Sequence, residues 1–285
     1  MTAVRSLLFA PANHARRVEK ALTLAADAVI LDLEDAVAIA EKAAARPLII
    51  EAMEKPRTGK LYVRVNGLAT EWCYGDIVVA VRAGLNGIVL PKVEHAHELR
   101  TVDWLIGNLE RARDLPAGTV DLIPIIETAV GISNLPAICG AGTRVRRLAF
   151  GAGDFTLDMG MTWSRDETEL LPHRAACVLA SRAGGLEPPV DTVWADLRDN
   201  EGFVASAKKA AALGFQGKMC IHPDQIAAAN AAFTPDEAAV ARARRIVAAF
   251  EKAEADGLAS IQLAGQFIDY PIVQRARRVL EQGAG

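Results

Sequence analysis

The sequence predicts an α/β chain built as a (β/α)8 TIM barrel with a C-terminal helical extension. Three observations carry that expectation: strand-length apolar runs recur eight times, alanine-rich segments of helical periodicity separate them, and the runs are continuous rather than alternating. Regular exchange of strand and helix indicates βαβ units, and strands apolar on both faces indicate a parallel sheet covered on both sides. Eight repeats suit a closed barrel better than an open doubly wound sheet, and no GxGxxG pattern follows the first run.

The first run, Arg5 to Ala10, leads to a helical pattern from His14 to Ala26. The second, Ala28 to Leu33, leads to Ala36 to Ala52; the third, Lys60 to Val65, to Tyr74 to Ala83; the fourth, Gly87 to Pro91, to Ala96 to Arg113. Runs five to eight fall at Leu122 to Ile126, Arg147 to Gly151, Thr192 to Ala195 and Lys218 to Ile221, with a helix at Gly202 to Leu213 before the last. Residues 1–230 therefore form the expected barrel domain. Residues 231–285 form the extension: a helix from about Thr234 to Asp256, a glycine-punctuated stretch from Gly257 to Pro271, and a last amphipathic helix. A barrel closes without such a tail, so it is expected to cover the open mouth or a neighbouring subunit.

With 285 residues, 51% of them apolar, the chain has enough material for one large aliphatic core. A net charge of -3 with interspersed signs gives no basic stripe, which argues against nucleic acid as a partner. Apolar residues near the N-terminus are too few for a signal peptide, and later runs are broken by charges before membrane-spanning length. A cytoplasmic chain without a membrane partner is expected. Cys73, Cys139, Cys177 and Cys220 lie dozens of residues apart with no CxxC pair, so reduced, buried thiols are expected rather than zinc or disulfides.

In a parallel barrel, chemistry sits at the carboxyl ends of the strands. Five consecutive runs here end in charged groups: Asp32-Leu33-Glu34-Asp35, Arg64-Val65-Asn66, Pro91-Lys92, Glu127-Thr128 and Gly151-Ala152-Gly153-Asp154. Helix capping accounts for single acidic residues at such positions but asks for no cations. Glu127 and Asp154, on adjacent strands, suit magnesium, which takes oxygen ligands and often only one or two protein carboxylates. Such an open site chelates a 2-hydroxy or 2-oxo carboxylate. Arg64, always protonated and forked, suits a carboxylate or an enolate oxygen; its alternative is a structural pairing with Asp32, Glu34 or Asp35. Lys92 and Lys218 are candidates for thioester phosphates. His95, His97 and His222 lie in no set of ligand spacing.

At these residues the chain resembles the citrate lyase beta-subunit-like group of the HpcH/HpaI aldolase family, which also includes malyl-CoA and citramalyl-CoA lyases. The resemblance runs over essentially the full length. It is carried by Arg5 to Phe9 with Pro11, Leu31 to Val37, Arg64-Val65-Asn66, Leu90-Pro91-Lys92, Ile126-Glu127-Thr128 with Gly131, Gly151 to Asp154, Gly214-Phe215 with Gly217-Lys218, and Ile221-His222-Pro223. Two positions depart from the family pattern: Pro11-Ala12 where Pro-Gly is common, and Gly153 where a glutamate often precedes the aspartate.

The resemblance implies a magnesium-dependent carbon–carbon lyase that splits a 3-hydroxyacyl-CoA into acetyl-CoA and a 2-oxo acid by a reversible Claisen reaction. It implies Glu127 and Asp154 as metal ligands. Arg64, Glu34 and Asp269 would be catalytic, and Arg64, Asp35, Glu127 and Lys92 would contact substrate. Asp269, in the tail segment Gly265 to Pro271, would supply the proton to the enolate carbon. Two further readings stay open: a citrate lyase beta subunit acting on a carrier-protein-bound citryl thioester beside an alpha subunit, and a malyl-CoA thioesterase. A barrel kept only for ligand binding is disfavoured by the intact charged set. A homotrimer or hexamer is the expected assembly.

Overall fold

A computed structural model describes residues 4–283. Eight parallel strands pair in chain order, and the last returns to the first to close a barrel: β1 (Ser6–Pro11), β2 (Ala28–Asp32), β3 (Lys60–Arg64), β4 (Gly87–Leu90), β5 (Asp121–Ile126), β6 (Ala149–Phe150), β7 (Val190–Asp191) and β8 (Gly217–Cys220). Around and after them run α1 (Ala15–Thr23), α2 (Lys42–Glu54), α3 (Cys73–Ala80), α4 (Ala96–Ala112), α5 (Ala129–Ser133), α6 (Leu135–Cys139), α7 (Ala152–Asp158), α8 (Leu171–Ala183), α9 (Asn200–Leu213) and α10 (Gln225–Ala232). The fold is the expected TIM barrel.

Side-chain alternation decides what each strand delivers inside. Leu7, Ile30, Tyr62, Val89, Ile123, Ile125, Ala149, Val190 and Met219 share one buried cluster in the barrel interior. Because successive side chains point to opposite faces, two further residues along the same parity bring Phe9, Asp32, Arg64, Glu127, Gly151, Thr192 and Ile221 to the interior above that layer. At the other end the interior is closed by polar contacts: the Tyr62 hydroxyl lies 3.2 Å from Asp121, and Arg147 bridges Asp121 at 3.1 Å and Glu187 at 2.8 Å.

Two expected boundaries shift. Strand seven is Val190–Asp191 rather than Thr192 to Ala195. Asp191 interrupts the apolar run, yet it is wholly buried in an ion network outside the barrel wall. It accepts from Arg174 at 2.7 and 3.0 Å and from Lys218 at 2.6 Å; Arg174 also donates to Glu167 at 2.9 and 3.0 Å, and Lys218 to Ser206 at 3.0 Å. Burial alone would push Asp191 up, but Lys218 and Arg174 more than offset it and hold the carboxyl below its ordinary range. Lys218, a candidate for phosphates, is thereby assigned to the network and not to the mouth. The second helix begins later than Ala36, at Lys42 after a single 3-10 turn, because Asp32 captures the amides of Glu34 at 2.9 Å and Ala36 at 3.3 Å in a loop instead.

The chain divides into residues 4–230 and a second unit over 231–283. In the second unit α11 (Glu237–Ala255), the antiparallel strands β9 (Ser260–Leu263) and β10 (Gln266–Asp269), and α12 (Tyr270–Gly283) enclose their own core of Ala243, Ile246, Phe250, Ile268, Val273 and Ala276. The glycine-punctuated stretch is thus a hairpin, turned at Ala264 and Gly265 with φ of 50° and 81°. Two positive φ values mark the turn that matches strand twist. All four cysteines are free and buried, and among the described residues no helix is long and apolar enough to cross a membrane.

Candidate active site

The ends of β2 and β3 lie in register, Asp32 opposite Arg64, and the two side chains lock together. Asp32 accepts from Nε of Arg64 at 2.8 Å and from Nη2 at 2.6 Å. The remaining Nη1 lies 2.9 Å from Oε2 of Glu34, and the guanidinium sits 4.7 Å above the Phe9 ring. Arg64 therefore meets the structural pairing weighed from sequence and still lines the cavity. Its charge is fixed: burial opposes it, but Asp32 and Glu34 raise its pKa further.

Glu34 is held from behind. The Lys42 ammonium, buried, donates to the backbone carbonyls of Leu33 at 3.0 Å and Glu34 at 2.8 Å, while Asn66 donates to Leu33 at 3.1 Å and to Asp76 at 2.7 Å. Neither Lys42 nor Asp76 was visible as a site residue, since a lysine in an alanine-rich helix carries no sequence mark of burial. Asp32, considered only as a partner for Arg64, proves to brace the whole loop.

Glu127 follows β5, 4% exposed, with Oε1 accepting from the Lys92 amide at 2.8 Å. Gly151 makes room for it: a Cβ there would stand 2.4 Å from Oε2 of Glu127. Thr128 turns away to cap α5 by accepting from Gly131 at 3.0 Å, so the adjacent pair divides chemistry from capping. Asp154 lies in the first turn of α7, and its neighbour Ala152 is tied to Thr192 at the end of β7 by a 2.8 Å bond.

These side chains line a cavity of about 410 Å³ whose wall combines Asp32, Asp35, Arg64, Glu127 and Asp154 with Phe9, Ile125, Val193 and Met219. One oxygen each from Glu34, Asp35 and Asp154 lies within 4.8 Å of the others. Oε2 of Glu34 is buried and, although close to Arg64, has no aligned hydrogen-bond donor among the described residues. Burial and the nearby Glu34 charge push Glu127 up to about 8, against the pull of Arg64, and burial likewise raises Glu34 against Arg64 and Lys92. Crowded, under-neutralised oxygen donors in a polar cavity fit a hard divalent cation. Of the expected ligand pair, Asp154 belongs to the converging trio with Glu34 and Asp35, and Glu127 lines the same cavity as Asp154.

A pH prediction arises from Glu127. In the unfolded chain it ionises near 4.5, and in the metal-free fold only near 8. The folded state therefore holds an extra proton between those values, and stability present below pH 4.5 is lost as pH rises toward 8. Magnesium should reverse this by favouring the ionised form. The thermal midpoint in chelator is expected to fall from pH 5 to 8 while the increment given by magnesium grows, and Glu127→Gln should flatten both trends; a magnesium increment independent of pH would refute this.

Other expected residues fall elsewhere. Asp269 ends β10 in the second unit, where its Oδ1 lies 3.3 Å from the Ile272 amide at the start of α12. His95 and His97 stack at 5.2 Å at the head of α4, and His222 follows β8 beside Asp224 at 3.5 Å.

Residues 5–223 match the family described as HpcH/HpaI aldolase/citrate lyase. The chain is 38% identical to the citrate lyase subunit beta of Leuconostoc mesenteroides subsp. cremoris over 97% of its own length and 92% of that protein. It is 39% identical to the L-malyl-CoA/beta-methylmalyl-CoA lyase of Cereibacter sphaeroides over 98% and 94%. Among solved structures it resembles protein CitE from Mycobacterium tuberculosis in complex with magnesium, acetoacetate and coenzyme A, with a TM-score of 0.81, 30% identity and 99% of each chain covered.

Proposed function

The chain belongs to the HpcH/HpaI aldolase/citrate lyase family, and from that premise we propose a magnesium-dependent carbon–carbon lyase that cleaves a 3-hydroxyacyl-CoA, of the malyl, citramalyl or citryl type, into acetyl-CoA and a 2-oxo acid. The observation that carries the reading is the convergence of Glu34, Asp35 and Asp154 at a cavity that Asp35, Asp154, Arg64 and Glu127 line: a cation site with a fixed guanidinium beside it.

Glu127 and Asp154, with Glu34 and Asp35 converging beside them, would hold the ion. Bound magnesium supplies a Lewis acid for the oxygen on which charge changes during cleavage. Arg64 would present Nη1 to the thioester oxygen, where enolate charge develops, while its other edge stays clamped on Asp32. Phe9, Ile125, Val193 and Met219 form an apolar wall that excludes water from that charge. Asp269 is proposed from the resemblance as the group that gives the enolate carbon its proton, and takes one in condensation. A cytoplasmic homotrimer or hexamer completes the proposal; the alternative substrate is a citryl thioester on a carrier protein with an alpha subunit, as the similarity to citrate lyase beta subunits suggests.

Turnover on L-malyl-CoA, (S)-citramalyl-CoA and citryl-CoA with magnesium tests this, assaying 2-oxo acid and acetyl-CoA together. Asp269→Asn is expected to cut kcat by about 10²–10⁴ with little change in substrate binding, as for loss of an acid/base group. Release of free hydroxy acid without 2-oxo acid would make the chain a thioesterase, and no turnover on free CoA esters beside turnover on a carrier-bound thioester would make it a beta subunit.

A further inference from the structure

Lys92, whose ammonium stands beside Glu34 and Asp154, has a left-handed backbone, φ 54°. A side chain at such a position is retained only where its surroundings fix it. Here they do so twice. The amide of Lys92 donates to Oε1 of Glu127 at 2.8 Å, and the next amide, of Val93, donates to the Ile125 carbonyl at 3.2 Å. With the backbone so turned, the ammonium stands 2.6 Å from Oε1 of Glu34, 3.2 Å from Oδ2 of Asp154 and 3.8 Å from Oδ1 of Asp35.

Those are the same three carboxylates whose oxygens converge. Magnesium binds oxygens at about 2.0–2.1 Å and demands their lone pairs; the Lys92 ammonium already donates to Glu34 at 2.6 Å and stands 3.2 Å from Asp154, so it draws on the same carboxylates. Two cations at one focus repel at short range, so occupancy is exclusive. We infer that Lys92 is a tethered counter-cation of the metal site: its ammonium neutralises the carboxylates while the metal is absent, and metal binding expels it toward solvent. The Lys92 side chain is 41% exposed, against 6% for Glu34, so the ammonium has a path to solvent while the carboxylate it holds most closely stays buried. The inference rests on the metal reading above and adds that the chain carries its own competitor, which sets how tightly the metal is held and protects the folded metal-free barrel from its own charge.

The test is Mg²⁺ titration by calorimetry on the full chain, with no substrate present, comparing the wild type with Lys92→Met and Lys92→Gln. Loss of the competitor is expected to tighten Mg²⁺ at least about tenfold, and to lower the thermal midpoint of the metal-free variants while leaving the Mg²⁺-loaded midpoint close to wild type. A wild-type measurement guards against misfolded variants: acylation of lysines read by mass spectrometry should rise several-fold at Lys92 on adding Mg²⁺, with exposed Lys208 unchanged. Equal or weaker Mg²⁺ binding in both folded variants, or no change in Lys92 acylation on a protein that binds Mg²⁺, would overturn the inference alone. Absence of Mg²⁺ binding in all three proteins would overturn the metal reading and the inference with it.

Discussion

Arg64→Ala is expected to lower kcat by roughly 10²–10³, the usual cost of removing one preorganised donor from a developing oxyanion. The guanidinium cannot be replaced from solvent, since the side chain is only 13% exposed and three of its nitrogens are already placed by Asp32 and Glu34. Arg64→Lys should recover little: a single ammonium cannot hold both Asp32 oxygens and still face the cavity. Because the variant also leaves the buried Asp32 without its partner, Tm should drop as well, so the decisive reading is the split between kcat and KM at a temperature where both proteins are folded. A kcat within threefold of wild type, measured with the preferred thioester, would remove Arg64 from the chemistry and leave it as a brace.

The second large effect concerns stability. Asp191→Ala leaves Arg174 and Lys218, both 0% exposed, with Glu167 paired to Arg174 alone and no carboxylate paired to Lys218 among the described residues. Breaking a buried ion network by removing one partner costs about 3–5 kcal/mol, a large share of the roughly 5–15 kcal/mol that holds a domain together. The thermal midpoint of the barrel is expected to fall by roughly 6–20 °C. Exchanging both Asp191 and Lys218 for apolar residues of similar size should recover part of the loss, since the penalty lies in uncompensated charge. A single variant that melts with the wild type would mean that water reaches the network.

The same network explains where the sequence misleads. Strand seven is invisible as an apolar run because Asp191 breaks it, and what makes a buried aspartate tolerable stands 17 and 27 residues away in Arg174 and Lys218. Compensation at that distance leaves no local pattern. The remaining strands are legible because a parallel barrel needs both faces of each strand covered, and continuous valine, isoleucine and leucine satisfy that need in plain view. The tail hairpin escapes because its turn is Ala264-Gly265 rather than the asparagine–glycine or aspartate–glycine pairs that announce such turns. In the site, the carboxylates and Arg64 are legible as polar ends on apolar runs. The direction of the Lys92 side chain is not, because it depends on a positive φ that the sequence of a lysine does not advertise.

The polar seal formed by Tyr62, Asp121 and Arg147 at the far end of the barrel has a kinetic consequence. With the interior packed above it, the cavity is a blind cup, and one doorway serves both arrival and departure. In the proposed cleavage, a small acid held by charge at the floor would leave after the bulkier thioester fragment above it. The expected consequence is ordered product release, with the acid binding first in the condensing direction, which product-inhibition patterns would reveal.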